Sequence, residues 1–400
     1  MNRAPEQYGS YLVYEQIARG GMATVHRAEL PMRDGAVQQV ALKRLFPTNQ
    51  RELVALFLDE ARVLRYLQHP NIAATYDSGR VFGTYFIAME YVRGSTLKEL
   101  VQQCGVTVGA VPQAITLNLA AQLCDALDHA HNQRDEHGKP LGIIHRDISP
   151  ANLIISETGL LKLIDFGLAK AKVSTEETAV GVIKGKFAYV APEYIGGKLD
   201  HRADLWAVGI IMYELLTSRR LFDGPDAFET MSRVREMPIP RPSIANPAVT
   251  PELEEIVMRA LERDPARRWQ SAAAMRDRLQ AVSATPGNFA DNKYVIDWVS
   301  WVFEQERGRL PQLTPMFTPT VAPPAPPQPA PPQAPQPAPP QAASQPAPPQ
   351  APSRPVPVQA PQASGPAVRA TWTRADSVWL ACAVAYALLV LVSVIWKLVS

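Results

Sequence analysis

Residues 143–155 read IIHRDISPANLII, and Leu163-Ile164-Asp165-Phe166-Gly167 follows soon after. Asp147, Asn152 and Asp165 offer hard oxygen ligands and a carboxylate base, each beside a short apolar run that can fix it. Phosphoryl transfer needs that combination: a carboxylate to orient the attacking hydroxyl, oxygens to hold Mg²⁺, and positive charge to neutralise phosphates. A source of positive charge lies upstream, where Val40-Ala41-Leu42-Lys43 ends an apolar strand segment in a lysine. Taken alone, such a lysine is better read as facing solvent.

These side chains need elements to hold them. Residues 11–30, YLVYEQIARGGMATVHRAEL, read as strand, glycine turn and strand. Gly20 and Gly21 in the turn let backbone N–H groups approach phosphates that side chains would obstruct. Next, Glu60 sits in a helical pattern with Phe57, Ala61, Leu64 and Leu67, where it either faces solvent or pairs inward with Lys43. Residues 85–91, YFIAMEY, read as a strand entering a connector. Residues 132–142, NQRDEHGKPLG, read as a polar surface loop before the catalytic stretch.

The ordered set VALK, helix glutamate, HRDxxxxN, DFG and APE (the last at Ala191-Pro192-Glu193) resembles the eukaryotic-like serine/threonine protein kinases of bacteria, in their membrane-anchored form. The resemblance covers about residues 11–280. It implies an α+β bilobal fold, with an N-lobe over about 11–92 and a C-lobe over about 93–280. It also implies that ATP and Mg²⁺, or Mn²⁺ in its place, are used on protein substrates. Lys43 would contact the α- and β-phosphates and pair with Glu60, and Asp147 would be the catalytic base. Asn152 and Asp165 would bind the metal. Ala18, Gly20, Gly21, Ala23, Val25 and Ala41 would line the nucleotide, with Met89 behind the adenine and backbone hydrogen bonds from Glu90 and Val92. Asp204 would brace the catalytic loop and Arg268 would pair with Glu193, although the neighbouring Arg267 competes for that register.

The sequence departs from the family at several places. Ala18 and Ala23 replace the usual first and third glycines, which stiffens the loop without filling it. Ser149 replaces the usual lysine two positions after the catalytic aspartate, and Lys186 stands where a threonine is common. Either the lysine and hydroxyl have exchanged places, or Lys186 faces solvent and Lys43 and the metal suffice. Tyrosine kinases also lack that lysine but usually carry an arginine nearer the asparagine, and Ser149-Pro150-Ala151 has none, so serine/threonine specificity is the reading. Arg146 would meet a phosphate on the activation segment, where Ser174, Thr175 and Thr178 are candidates for trans-autophosphorylation in a homodimer. The alternative is a pseudokinase acting as a scaffold or adaptor.

Net charge is only +2, so no nucleic-acid partner is expected. Cys104, Cys124 and Cys382 form no CxxC pair, and a disulfide framework or zinc site is not expected. His26, His129, His131 and His137 show no metal spacing and read as surface or packing residues, while His145 belongs to the HRD motif. Residues 286–310 hold a candidate amphipathic helix with Tyr294, Val295, Trp298, Trp301, Val302 and Phe303. It can pack back on the globular part, touch a membrane surface or pair with another subunit. Residues 311–370 read as a disordered Pro/Ala/Gln spacer, and 22 of the 38 prolines fall within 311–366. As polyproline II, that stretch would reach on the order of 170 Å. Residues 377–396 are twenty uncharged residues, read as one transmembrane helix that leaves the kinase domain on the cytoplasmic side of a bacterial cell membrane.

Overall fold

The computed structural model describes residues 4–48, 50–166, 187–196 and 199–306. Lys186, Ser174, Thr175, Thr178, the Pro-rich stretch and 377–396 lie outside these residues. The N-terminal lobe is a six-stranded antiparallel sheet in the order β1-β2-β3-β4-β6-β5. Its strands are β1 (Glu6–Tyr8), β2 (Tyr11–Arg19), β3 (Ala23–Pro31), β4 (Val37–Leu45), β5 (Thr75–Val81) and β6 (Thr84–Glu90). Every sequential connection here is a hairpin except β4 to β5, which carries helix α1 (Arg51–Leu64). The β5–β6 turn is only Phe82-Gly83, both at positive φ (47° and 85°), the two-residue geometry that matches strand twist.

Strand alternation sorts β4 into two faces. Val40 and Leu42 join a small outer core with Tyr8, Tyr11, Val13 and Phe86, whose rings pack edge to face. The opposite parity holds Ala41, Lys43 and Leu45, and Leu45 belongs to the main core with Ala23, Ile87 and Met89. Lys43 therefore lies on the α1 side of the sheet. Buried Leu56, Phe57, Glu60, Ala61 and Leu64 form one face of α1.

The second lobe is helical, with a small sheet β7-β8-β9 (Gly94–Thr96, Leu153–Ser156, Leu161–Leu163) at its top. A capping box between Thr96 and Glu99 starts α2 (Leu97–Thr107). Helix α3 (Gln113–His131) packs on α8 (Ala272–Ser283), and α4 (Arg202–Thr217) on α7 (Pro251–Ala260). Helices α5 (Ala227–Glu236) and α6 (Pro242–Ala245) lie between α4 and α7 in the chain. All residues of α4 from Ala203 to Thr217 are buried, so this helix is the axis of the lobe. Cys104 on α2 and Cys124 on α3 are buried free thiols. Burial pushes the Cys104 thiol up to about 12 and raises that of Cys124 as well.

The last described helix, α9 (Asn292–Glu306), buries Val295, Trp298, Val299 and Val302, a single helical face. That face packs against α2 and α3. Each such side chain contributes roughly 1.5–3 kcal/mol on burial, so α9 is held by its apolar seam. Among the described residues no helix is long and apolar enough to cross a membrane.

Candidate active site

The cleft between the lobes gathers side chains from distant segments. Lys43 Nζ lies 2.6 Å from Glu60 Oε1 and 2.6 Å from Asp165 Oδ1. Burial lowers the lysine pKa, but the Asp165 and Glu60 carboxylates outweigh it and the net direction is up. Glu60 is 1% exposed, and a carboxylate on the apolar face of α1 is tolerable only with such a partner. Sequence spacing left Glu60 open between solvent and interior, and the structure puts it inside.

Above Lys43 lies the glycine turn. Ala18 and Val25 pair across β2 and β3, Val25 pairs with Lys43, and Gly20 N donates to the Ala23 carbonyl at 2.8 Å. A Cβ placed on Gly21 would meet nothing within 4 Å, so the turn has open space beside it. Ala23 is buried opposite Leu45, and Ala41 pairs with Met89 across β4 and β6. Glu90 follows Met89. Its N–H donates to the Ala74 carbonyl at 2.7 Å, and its carboxylate accepts from Ala74 N at 3.1 Å and Lys162 Nζ at 2.8 Å. The Glu90 N–H is thus already engaged, so a backbone hydrogen bond from Glu90 to adenine would have to come from its carbonyl, and Val92 lies half-buried in the connector.

Below, the catalytic stretch is fixed by hydrogen bonds to its own backbone and to α4. Asn152 Nδ2 donates to the Asp147 carbonyl and to Asp147 Oδ2, both at 2.8 Å. The Asn152 carbonyl accepts from Ile164 N at 3.0 Å, which brings Asn152 beside the chain entering Asp165. Ser149 is buried, in extended backbone, and its carbonyl accepts from Asn152 N. Arg146 and Asp165 hold positive φ (65° and 59°), a conformation that costs of order 1–3 kcal/mol for a residue other than glycine. At Arg146, Asp204 at the start of α4 offsets this strain. Its carboxylate accepts from His145 N and Arg146 N, each at 2.9 Å, and lies 2.8 Å from His131 Nε2. Burial would raise the Asp204 pKa, yet the His131 and backbone bonds hold it below the usual carboxylate value. Phe166 is buried with its ring centroid 4.5 Å from that of His145. Among the described residues Arg146 Nε is buried with no hydrogen-bond partner.

Arg268, fully buried, donates through both terminal nitrogens to Glu193 at 2.6 and 2.7 Å, and its guanidinium lies 5.0 Å from the Trp206 ring. Arg267 reaches Glu262 instead, which settles the register between the two arginines. Tyr189 donates to Glu214 Oε2 at 2.7 Å, and burial raises the pKa of both groups.

Three of these contacts escape sequence reasoning: His131 on Asp204, Lys162 on Glu90, and Tyr189 on Glu214. Each joins a residue unremarkable in its own element to a partner at least 25 positions away. For the first and last, the burial of a carboxylate, invisible in a single sequence, is what marks them.

The chemistry this arrangement permits is narrow. The Asp165 carboxylate lies against a lysine held charged, and Asn152, whose backbone carbonyl is bonded to Ile164 N, fixes a second carboxylate, Asp147, through its side-chain amide. Among the described residues no group of three or more His, Cys, Asp or Glu side chains could hold a metal by itself. Asn152 with Asp165 is a hard-oxygen pair of the kind that holds Mg²⁺ when substrate phosphates and waters complete the shell.

A family model described as protein kinase domain matches residues 11–279. The tyrosine-protein kinase MasK of Myxococcus xanthus is 36% identical over 278 residues, covering 69% of this chain and 43% of that protein. The serine/threonine-protein kinase PrkC of Bacillus subtilis is 36% identical over 270 residues, covering 67% of this chain and 39% of PrkC. The match thus spans about two fifths of the length of these curated relatives. The crystal structure of the Mycobacterium tuberculosis PknI kinase domain superposes with a TM-score of 0.52 at 26% identity, covering 70% of this chain and 98% of that domain.

Proposed function

The chain belongs to the protein kinase family, and from that premise we propose that it transfers the γ-phosphoryl group of ATP to serine or threonine hydroxyls of proteins. The observation that carries the reading is the ion-pair set of Lys43, Glu60 and Asp165, with Lys43 and Glu60 buried and both contacts at 2.6 Å. A scaffold without catalysis has no need to keep a charged lysine and a glutamate in a core.

Each side chain then has a task. Lys43 orients the α- and β-phosphates and is itself aimed by Glu60. Asp147 accepts the proton of the attacking hydroxyl, and the Asn152 amide holds that carboxylate in place. Asn152 and Asp165 would hold Mg²⁺, which neutralises developing phosphate charge when bound. Ala18, Gly20, Gly21, Ala23 and Val25 cover the phosphates, while Met89, Glu90 and Val92 border the adenine. Arg146 awaits a phosphate on the activation segment at Ser174, Thr175 or Thr178, and Lys186 supplies the charge that Ser149 lacks. Homodimer formation at the cell membrane, through the uncharged stretch 377–396, favours trans-phosphorylation by raising local concentration.

A second reading, tyrosine as acceptor, is favoured by the similarity to MasK and by Ser149 standing where serine/threonine kinases usually have a lysine, although the run Ser149-Pro150-Ala151 lacks the arginine that tyrosine kinases usually carry. Radiolabelled ATP with the full chain in lipid, followed by phosphoamino-acid analysis, tests both readings. Label on serine or threonine that Asp147→Asn abolishes supports the first; label on tyrosine supports the second. No label from a chain that binds ATP returns the scaffold.

A further inference from the structure

Residues 280–306 lie past the segment that the family model matches, yet their polar contacts run to α3, and one of them is relayed to the β8–β9 hairpin. Gln113 Nε2 donates to Asn288 Oδ1 at 2.6 Å, and Asn118 Nδ2 donates to the Ala290 carbonyl at 2.8 Å. One turn along α3, Gln122 Nε2 donates to Asn118 Oδ1 at 2.5 Å and to Asn292 Oδ1, the first residue of α9, at 3.2 Å. The other end of the same amide, Oε1, accepts from Leu161 N at 2.9 Å and Asn71 Nδ2 at 2.8 Å. Asn71 closes the ring: it donates to the Leu161 carbonyl at 2.8 Å, and its own carbonyl accepts from Leu163 N at 2.8 Å. Gln122 thus makes four hydrogen bonds, the full capacity of a primary amide with two protons and two lone pairs. It ties the extension, α3, β9 and the connector after α1 into one network.

A second contact is steric and independent. Gly159, at φ +75° in the β8–β9 turn, lies so close to the extension that a Cβ there would stand 1.9 Å from the Asn292 carbonyl oxygen. The hairpin and the start of α9 fit only because this residue is glycine.

We propose that residues 285–306 are a positioning element for the metal-binding pair, acting through Gln122 and Gly159. The hairpin they hold begins immediately after Asn152 and ends at Leu163, with only Ile164 before Asp165. Ile164 N is bonded to the Asn152 carbonyl, so a shift of β9 moves both ligands. This rests on the kinase reading above, which gives Asn152 and Asp165 their metal.

The test uses the full chain with Gln122→Met, which keeps the volume and removes all four bonds, and Gly159→Ala, which forces the turn off α9. Mn²⁺ binding is followed by electron paramagnetic resonance with a non-hydrolysable ATP analogue, and hydrogen exchange is followed across 153–165. Mn²⁺ affinity is expected to fall roughly tenfold, the lower end for loss of an outer support of a metal ligand. Exchange at Leu161 and Leu163 should quicken while the circular dichroism of the folded chain is unchanged. If Gln122→Met does not fold, Gly159→Ala with Asn292→Ala carries the test. Wild-type Mn²⁺ affinity in the folded variants overturns the proposal while leaving the kinase reading intact. Failure of the wild type to bind nucleotide and Mn²⁺ overturns the kinase reading and this proposal with it.

Discussion

The two lobes build their halves of the site by opposite means. In the N-lobe, Lys43 depends on partners 17 and 122 residues away, and nothing local fixes it. In the C-lobe, Asp147 and Asn152 are bonded to each other within five residues, and Asp204 clamps the loop by its own backbone amides. The first arrangement assembles only when α1 and the Asp165 segment are both in place, so it can report on the state of the whole molecule. The second is built in. The difference teaches that the switchable part of the site is the ion-pair set and the standing part is the loop.

The sharpest way to break this contrast is Asp147→Asn. Losing the base should cut kcat by about 10²–10⁴, with nucleotide affinity and thermal stability nearly unchanged. A matching loss of nucleotide binding would show the loop to be less independent than its bonds imply.

Lys43→Met tests the other half. It leaves the buried Glu60 carboxylate without its cation and should destabilise the domain by about 3–5 kcal/mol in urea titration, besides abolishing turnover. Stability within experimental error of the wild type would mean that α1 is seated by its apolar face alone.

What the sequence discloses follows the same division. The 143–167 motifs could be read directly, because loop chemistry lies in adjacent residues. Glu60 could be placed on a helix but not inside or outside, since its partner is 17 residues back on a different element. The positive φ at Arg146 and Asp165 had no local sign, because neither is glycine and their partners, Asp204 for Arg146 and Lys43 for Asp165, lie far off in the chain. Gln122 reads as one more polar residue of α3, although it bonds to segments on both sides of the chain. For α9 the apolar face was evident, but the surface it lands on, α2 and α3, lies more than 160 residues earlier in the chain.

A middle-sized effect should come from Asp204→Asn. The neutral amide keeps the shape and one acceptor oxygen, so of the bonds from His145 N and Arg146 N one becomes an ordinary neutral hydrogen bond and the other, worth about 1.5–3 kcal/mol, is lost because the new NH₂ faces a donor. The drop should fall on kcat more than on KM for ATP, because the clamp serves the loop and not the nucleotide cradle. An equal shift in both would join the lobes that the geometry separates.

The smallest effect is expected at Glu214. Burial raises its pKa above the ordinary 4.5, so the folded state holds a proton that the unfolded chain has released. Its contribution is complete below that ordinary value and is lost as pH rises through the higher folded value. Glu214→Gln should therefore gain stability relative to the wild type as pH rises through that window. Thermal melts at stepped pH read it directly, and a difference that is flat with pH would place the carboxylate in contact with water.

Cys104 and Cys124 carry one more consequence. Both thiols are shut inside α2 and α3, and both are held in the unreactive protonated form. An alkylating reagent can reach them only when those helices part, so the rate of modification clocks the opening of the C-lobe, with α9 as the latch over one side. The fold thereby carries its own covalent stopwatch, readable as the mass that the reagent adds to the peptides holding Cys104 and Cys124.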